Sequence, residues 1–193
     1  MRELSLHIMD VIENGIGAGA QLICLSIIED RKNKWLKITI SDNGRGIPEE
    51  MLEKVLDPFY TSRTTRRVGL GLPLFREASR RCDGEFHVTS KVNEGTEVFA
   101  TFRMDHIDLA PMGDMASTMM ALIMGNPEID FVYTHDVDGE VFTLDTRDVK
   151  KELEGVKINH PEVIRYLAGT IRESLADLDK GRSASPFEQG GKN

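Results

Sequence analysis

A chain of 193 residues, 40% hydrophobic and 29% charged, can hold one good core, or one domain with a smaller companion, but not three. Its formal charge of -8 and pI near 5.2 speak against a nucleic-acid partner, because neutralising a phosphate backbone takes a basic surface. Cys24 and Cys82, far apart and without a C-x-x-C partner, form neither a disulfide framework nor a zinc site, and read as small core hydrophobes. The N-terminus lacks a signal-peptide apolar stretch, and the longest apolar run, Met119–Met124, is far short of a membrane span, so a cytoplasmic protein with no membrane segment is expected.

Residues 4–16 place Leu4, Ile8, Val11 and Ile12 at helical spacing, and Ala18-Gly19-Ala20 ends that helix. Two strand-like runs follow at 22–28 and 35–41, the second alternating Leu36, Ile38 and Ile40 with Lys37, Thr39 and Ser41. Residues 49–57 read as a short helix. The stretch DPFYTSRTTRR is basic, rich in hydroxyls and aperiodic, and reads as a mobile loop. Pro73 opens the next helix, which Gly84 can cap, and EFHVTSK and EVFATFRM are two strands joined by a turn with Asn93 and Gly95.

The character changes near residue 105. Pro111 to Met124 reads as a Met-rich helix, with Met112, Met115, Met119 and Ile123 at core spacing. Such a face can also bind variable partners. A hairpin follows, FVYTHDV and EVFTLDT around the turn Asp138-Gly139; it sets Phe131, Tyr133 and His135 on one face, opposite Phe142 and Leu144. Alternation sends His135 and its neighbour Asp136 to opposite faces, against a shared metal with Asp138. Helices at 146–154 and 162–178 complete this part. The polar tail from Asp179 to Asn193 has the composition of a disordered segment.

Three segments carry chemistry. Gly69-Leu70-Gly71 precedes a helix, where backbone N–H groups can approach a phosphate. A Rossmann loop fails because its third glycine would be Leu74, and a Walker A loop fails for want of Gly-Lys-Ser/Thr. A flexible helix cap is the alternative. In SDNGRGIP, Asp42 ends a strand before Gly44 and Gly46. Glycines at the third and fifth positions exclude an EF-hand, leaving a surface turn or a carboxylate that accepts from the amino group of a flat ligand over a low glycine floor. Adenine offers such a donor, whereas guanine offers a carbonyl there. Asp10 and Asn14, four apart, share a helix face. Asn14 offers an oxygen suited to Mg²⁺ and Asp10 could handle a water, although a solvated helix face has the same pattern.

The order D-x-x-x-N, D-x-G-x-G, then G-L-G-L before a helix resembles the GHKL superfamily over roughly residues 3–104. That group includes histidine-kinase catalytic domains, gyrase-type topoisomerases, mismatch-repair ATPases and a heat-shock chaperone. VIENGIGAGA is similar to the N box of the mismatch-repair members, and SDNGRGIP to the adenine box of the whole group. DPFYTSR, VGLGLPLF and DGEFHVTSKVNEGTEVFATF resemble the histidine kinases. The resemblance implies ATP and Mg²⁺ as cofactors. It makes Asp10 the catalytic carboxylate and Asn14 the Mg²⁺ ligand. Asp42 would be the adenine acceptor, with Gly44 and Gly46 shaping the base pocket. Gly69, Leu70 and Gly71 would contact phosphate, Thr96 would support the water network at the adenine, and Arg63 would reach the terminal phosphate from the lid.

Departures qualify that picture. Hydrolysing members carry Glu where Asp10 stands, so a water would sit differently. Gly17 replaces an Asp or Lys, and Arg67 replaces the first glycine of the usual G-x-G-L-G-L. No phospho-acceptor helix pair precedes the N box, His7 reads as a core or surface histidine, and no gyrase-type transducer follows, so a stand-alone ATP-binding domain is expected rather than a complete sensor kinase.

The expected fold is α/β: a two-layer sandwich with a mixed, mainly antiparallel sheet and helices on one face (the Bergerat fold). Residues 1–104 form the ATP-binding domain, 105–178 a hairpin-and-helices extension, and 179–193 the tail. Two functions fit. One is a signalling kinase or ATPase that moves the γ-phosphate to a protein partner, in the manner of anti-sigma-factor or histidine kinases, or to water. The other is a module whose partner binding is gated by ATP, with little turnover. Partners are ATP and an unnamed protein, with a homodimer among the assemblies considered.

Overall fold

The alternating runs at 22–28 and 35–41 become the middle of one sheet, as β1 (Leu22–Asp30) and β2 (Trp35–Asp42). Four more strands join them: β3 (Phe86–Lys91), β4 (Gly95–Arg103), β5 (Asp130–Val137) and β6 (Glu140–Asp145). The computed structural model describes residues 3–57 and 71–180, and orders this six-stranded sheet β3–β4–β2–β1–β5–β6. The β1–β5 pair is parallel and the other neighbours are antiparallel. The helices are α1 (Leu4–Gly17), α2 (Glu49–Val55), α3 (Gly71–Arg81), α4 (Met115–Gly125), α5 (Thr146–Glu152) and α6 (Pro161–Asp179).

Strand alternation decides which face is covered. Ile23, Leu25 and Ile27, Leu36, Ile38 and Ile40, and Val98, Ala100 and Phe102 point to one side and are buried. On that side α1 packs on β2, α3 on β4 and α6 on β5 and β6, while α4 lies against both α1 and α6. Residues between them, such as Thr89, Glu97 and Thr143, are exposed on the other face. Met115, Met119 and Ile123 of α4 are buried, so the methionine stripe is core.

The hairpin forms as read. Asp138 and Gly139 take φ of 53° and 95°, the positive pair that a two-residue hairpin turn needs, and His135 faces Phe142 while Tyr133 faces Leu144. What the hairpin packs on is now clear: β5 lies along the free edge of β1, from Leu22↔Asp130 to Glu29↔Val137. A buried polar chain ties this junction. His135 Nε2 is 2.9 Å from Glu29 Oε1, and His135 Nδ1 is 2.8 Å from the Tyr133 hydroxyl. The His135 hydrogen bond, with help from Arg31, holds the Glu29 carboxyl below its ordinary range despite burial.

Two helix starts differ from the sequence reading. The helix expected to open at Pro73 begins at Gly71; proline is tolerated in a first turn because its missing N–H would have had no helical partner. The Met-rich helix begins at Met115 rather than Pro111, where Asp114 accepts from the Ser117 N–H at 2.9 Å. The residues before it have another task. The carbonyls of Pro111 and Met112 accept from the N–H groups of Leu4 (2.9 Å) and Ser5 (2.8 Å). These are orphan donors of the first turn of α1, and Glu3 at the N-cap supplies no side-chain bond for them.

Phe75 of α3 is fully buried, stacked on His7 and in contact with the rings of Phe86 and Phe102. It fastens α3 to α1 and to the sheet. Phe75→Ala should therefore lower unfolding free energy by about 3–5 kcal/mol, measured by urea denaturation followed by far-UV circular dichroism.

Candidate functional site

Strand β2 delivers Asp42 to the end of the sheet, beneath the last turns of α1. The approach is close enough that side chains on the neighbouring backbone would collide with it. A Cβ built at Gly15 would lie 3.0 Å from Asp42 Cβ and 3.2 Å from Oδ2, and one at Gly44 would lie 2.9 Å from Oδ1. Gly46, at φ +67°, packs so tightly on the turn between β3 and β4 that a Cβ would fall 2.1 Å from the Lys91 carbonyl oxygen. That position combines a left-handed backbone with no space, and only glycine meets both conditions.

The carboxylate is half-buried. Burial pushes its pKa above the ordinary carboxylate value, and hydrogen bonds from the backbone N–H groups of Gly44 (2.8 Å to Oδ1) and Thr96 offset part of that rise. The loop after it is fixed by its own bonds. The Asn43 side-chain oxygen accepts from the N–H groups of Gln21 and Leu22 at 2.8 and 2.9 Å. The Arg45 N–H donates to the Ala18 carbonyl at 3.0 Å, and the Asn93 N–H donates to the Arg45 carbonyl at 2.8 Å. The Ile47 N–H donates to Ser90 Oγ at 2.8 Å.

Asp42 opens onto a cavity of about 310 Å³, at the small end of the range for ligand pockets. Asn14, Gly46 and Thr96 line it with Asp42; Ile40, Val98, Met51 and Val55 make apolar walls, and Glu13 and Arg45 add charge. The site thus offers a largely apolar slot lined by a half-buried acceptor, Asp42, and by Asn14. This suits a planar heterocycle that bears an amino group. Because the Asp42 carboxylate accepts only, it disfavours a carbonyl at the same point.

The structure therefore brings Asn14, Asp42, Gly46 and Thr96 to one cavity, with Gly44 immediately behind the carboxylate. Asp10 and Gly71 do not line it. They meet next to it, where α1 touches the start of α3: a Cβ on Gly71 would sit 2.9 Å from the Asp10 Cβ. The N-terminus of α3, with its partial positive charge, lies beside Asp10. Arg63, Gly69 and Leu70 lie outside the described residues. Sequence reasoning missed Gly15, Asn43, Arg45 and Ser90. Gly15 next to Asn14 carries no motif of its own, and the need for it arises only once α1 crosses Asp42. Ser90 sits in a plain alternating strand, and its partners are Ile47, in the loop after β2, and Gly95 and Thr96, at the start of β4.

A protein-family profile described as "Histidine kinase-, DNA gyrase B-, and HSP90-like ATPase" matches residues 2–106. Sporulation kinase D of Bacillus subtilis (strain 168) is 35% identical over 94 residues, covering 49% of this chain and 18% of that protein. Sporulation kinase C of the same organism is 29% identical over 94 residues, covering 49% of this chain and 22% of that protein. The chain thus spans about a fifth of the length of these relatives. The N-terminal domain of a DNA repair protein superposes with a TM-score of 0.54 at 17% identity, over 75% of this chain and 53% of that one, a likeness of fold. With the profile covering more than half of the sequence, the chain belongs to the histidine kinase-, DNA gyrase B- and HSP90-like ATPase family.

Proposed function

We propose that this protein binds ATP with Mg²⁺ in the Asp42 cavity and passes the γ-phosphate to a protein partner or to water. The observation that carries this reading is the half-buried Asp42 carboxylate, open to a slot that Asn14 also lines. Adenine enters the slot with its amino group donating to Asp42. Asn14 gives its amide oxygen to Mg²⁺, which prefers a few protein oxygens beside phosphate and water. When bound, the ion neutralises phosphate charge. The start of α3 at Gly71, with Gly69 and Leu70 before it, takes the phosphates on backbone N–H groups, and Arg63 reaches the terminal phosphate. Asp10, beside that helix end, orients a water or an acceptor hydroxyl. The kinase names of the two relatives favour transfer to a protein, which would make the chain a signalling transferase.

A second reading has an observation of its own. The carbonyls of Pro111 and Met112 cap α1, the helix that carries Asp10 and Asn14. Nucleotide held near the C-terminal end of α1 is therefore linked, along the roughly 15 Å of that helix, to the segment that leads into α4–α6, and ATP would reshape a partner surface there with little turnover.

Following the label from γ-labelled ATP in Mg²⁺ separates these readings. Release as free phosphate, lowered about a hundredfold or more in Asp10→Asn, supports hydrolysis through Asp10. Label that appears only on an added protein partner supports the kinase. Tight binding with the label left on ATP, with and without partner, supports the gated module. Absence of ATP binding contradicts all three.

Asp42→Asn should raise the dissociation constant for ATP at least about tenfold, because the acceptor-only carboxylate becomes an amide that can turn its NH₂ toward the base. The same change should stabilise the empty protein. With its folded pKa raised, Asp42 contributes stability that is fully present below the unfolded value and is lost as pH rises through the folded one. The melting temperature of Asp42→Asn should thus exceed wild type by about a few degrees near pH 7, with the gap closing toward about pH 3. Calorimetric scans across that range check it.

A further inference from the structure

Ser90 of β3 does not line the cavity shared by Asn14 and Asp42; it lies with Asp42 and Thr96 on a second surface depression, and its hydroxyl has a complete set of partners. The Ile47 N–H donates to Ser90 Oγ at 2.8 Å. The Gly95 carbonyl oxygen lies 2.8 Å away, and so does the Thr96 hydroxyl oxygen. A serine hydroxyl has one proton to give and two lone pairs to accept with. The Gly95 carbonyl can only accept, so it takes the Ser90 proton. The Ile47 N–H fills one lone pair. In the remaining contact the proton must then come from Thr96.

The consequence lies one residue further on. With its proton turned toward Ser90, Thr96 Oγ1 has only lone pairs left for the cavity that it lines. Asp42, which shares that wall and accepts the Thr96 N–H, is also acceptor-only. Two acceptors then face the edge of the bound base. The exocyclic amino group of adenine has two protons to offer, whereas the carbonyl at the same position of guanine has none. We infer that Ser90 is a positioning residue for base selection: by fixing the direction of the Thr96 proton, it makes Thr96 an obligate acceptor and sharpens the preference for adenine over guanine nucleotides. The inference rests on the ATP reading and extends it to a residue outside the pocket wall.

Titration calorimetry with ATP and with GTP in Mg²⁺ tests this on wild type, Ser90→Ala, Ser90→Thr and Thr96→Val, with the melting temperature of each recorded. In Ser90→Ala the Thr96 hydroxyl is free to rotate and donate, so the ratio of ATP to GTP affinity should fall about tenfold. Ser90→Thr keeps the hydroxyl and should stay within about twofold of wild type. Thr96→Val removes the oriented acceptor, and its ratio should fall by a similar factor; this variant decides the matter if Ser90→Ala does not fold. A purely structural Ser90 would lower the melting temperature and weaken both nucleotides alike, leaving the ratio unchanged. A ratio unchanged in Ser90→Ala or in Thr96→Val overturns this inference while leaving ATP binding intact. A wild type that binds no ATP overturns the ATP reading and this inference with it.

Discussion

The constraint on which the site depends is the contact between the last turns of α1 and the end of β2. There the Asp42 carboxylate is half-buried against backbone that leaves no room for a side chain. The space that would take a Cβ on Gly15 or Gly44 is filled by Asp42 itself. The outcome is a raised pKa, meaning that the fold carries a charge where it is unwelcome until a donor arrives. Desolvated charges of this kind collect where a protein binds something. The surrounding bonds from Asn43, Arg45 and Ser90 hold the loop in its ligand-ready shape, so little ordering cost remains for the ligand to meet.

The part of the chain after residue 104 is bound to this site by the same kind of accounting of backbone donors. α1 lacks a side-chain cap, and its first N–H groups are satisfied by Pro111 and Met112. Strand β5 then closes the edge of β1 that the preceding strands leave open, and the Glu29–His135–Tyr133 chain seals the junction with buried hydrogen bonds. The sheet is continuous across the point where the sequence changes character. Any influence of a bound partner on nucleotide, or the reverse, has a short path through α1.

Much of this was legible in residue order. The alternation of Leu36, Ile38 and Ile40 gave the strand that ends in Asp42, and Asp138-Gly139 gave the hairpin with its facing pairs, because both signals are local. The spacing along α1 and the glycines after Asp42 singled out Asn14, Asp42 and Gly46, which the fold brings to one cavity. The parallel pairing of β5 with β1 was not legible: Cys24, Ser26 and Ile28 carry no mark of which strand will lie beside them, and the strand that does so comes more than a hundred residues later in the chain. The early start read for α4 failed for a related reason. Pro111 and Met112 look helical next to Met115 and Met119, but the unfilled donors of α1, more than a hundred residues earlier in the chain, claim their carbonyls. Ser90 and Gly15 were invisible because their roles exist only between elements.

In the proposed complex the Asp42 carboxylate reads the exocyclic amino group of adenine. The most direct measurement is the affinity of the wild-type protein, by titration calorimetry in Mg²⁺, for ATP and for the 5′-triphosphate of purine riboside, which is ATP without that amino group. The analogue should bind at least about tenfold more weakly, the size of one charge-assisted hydrogen bond. Equal affinity for the two would contradict this reading, since the base would then be held by something other than Asp42.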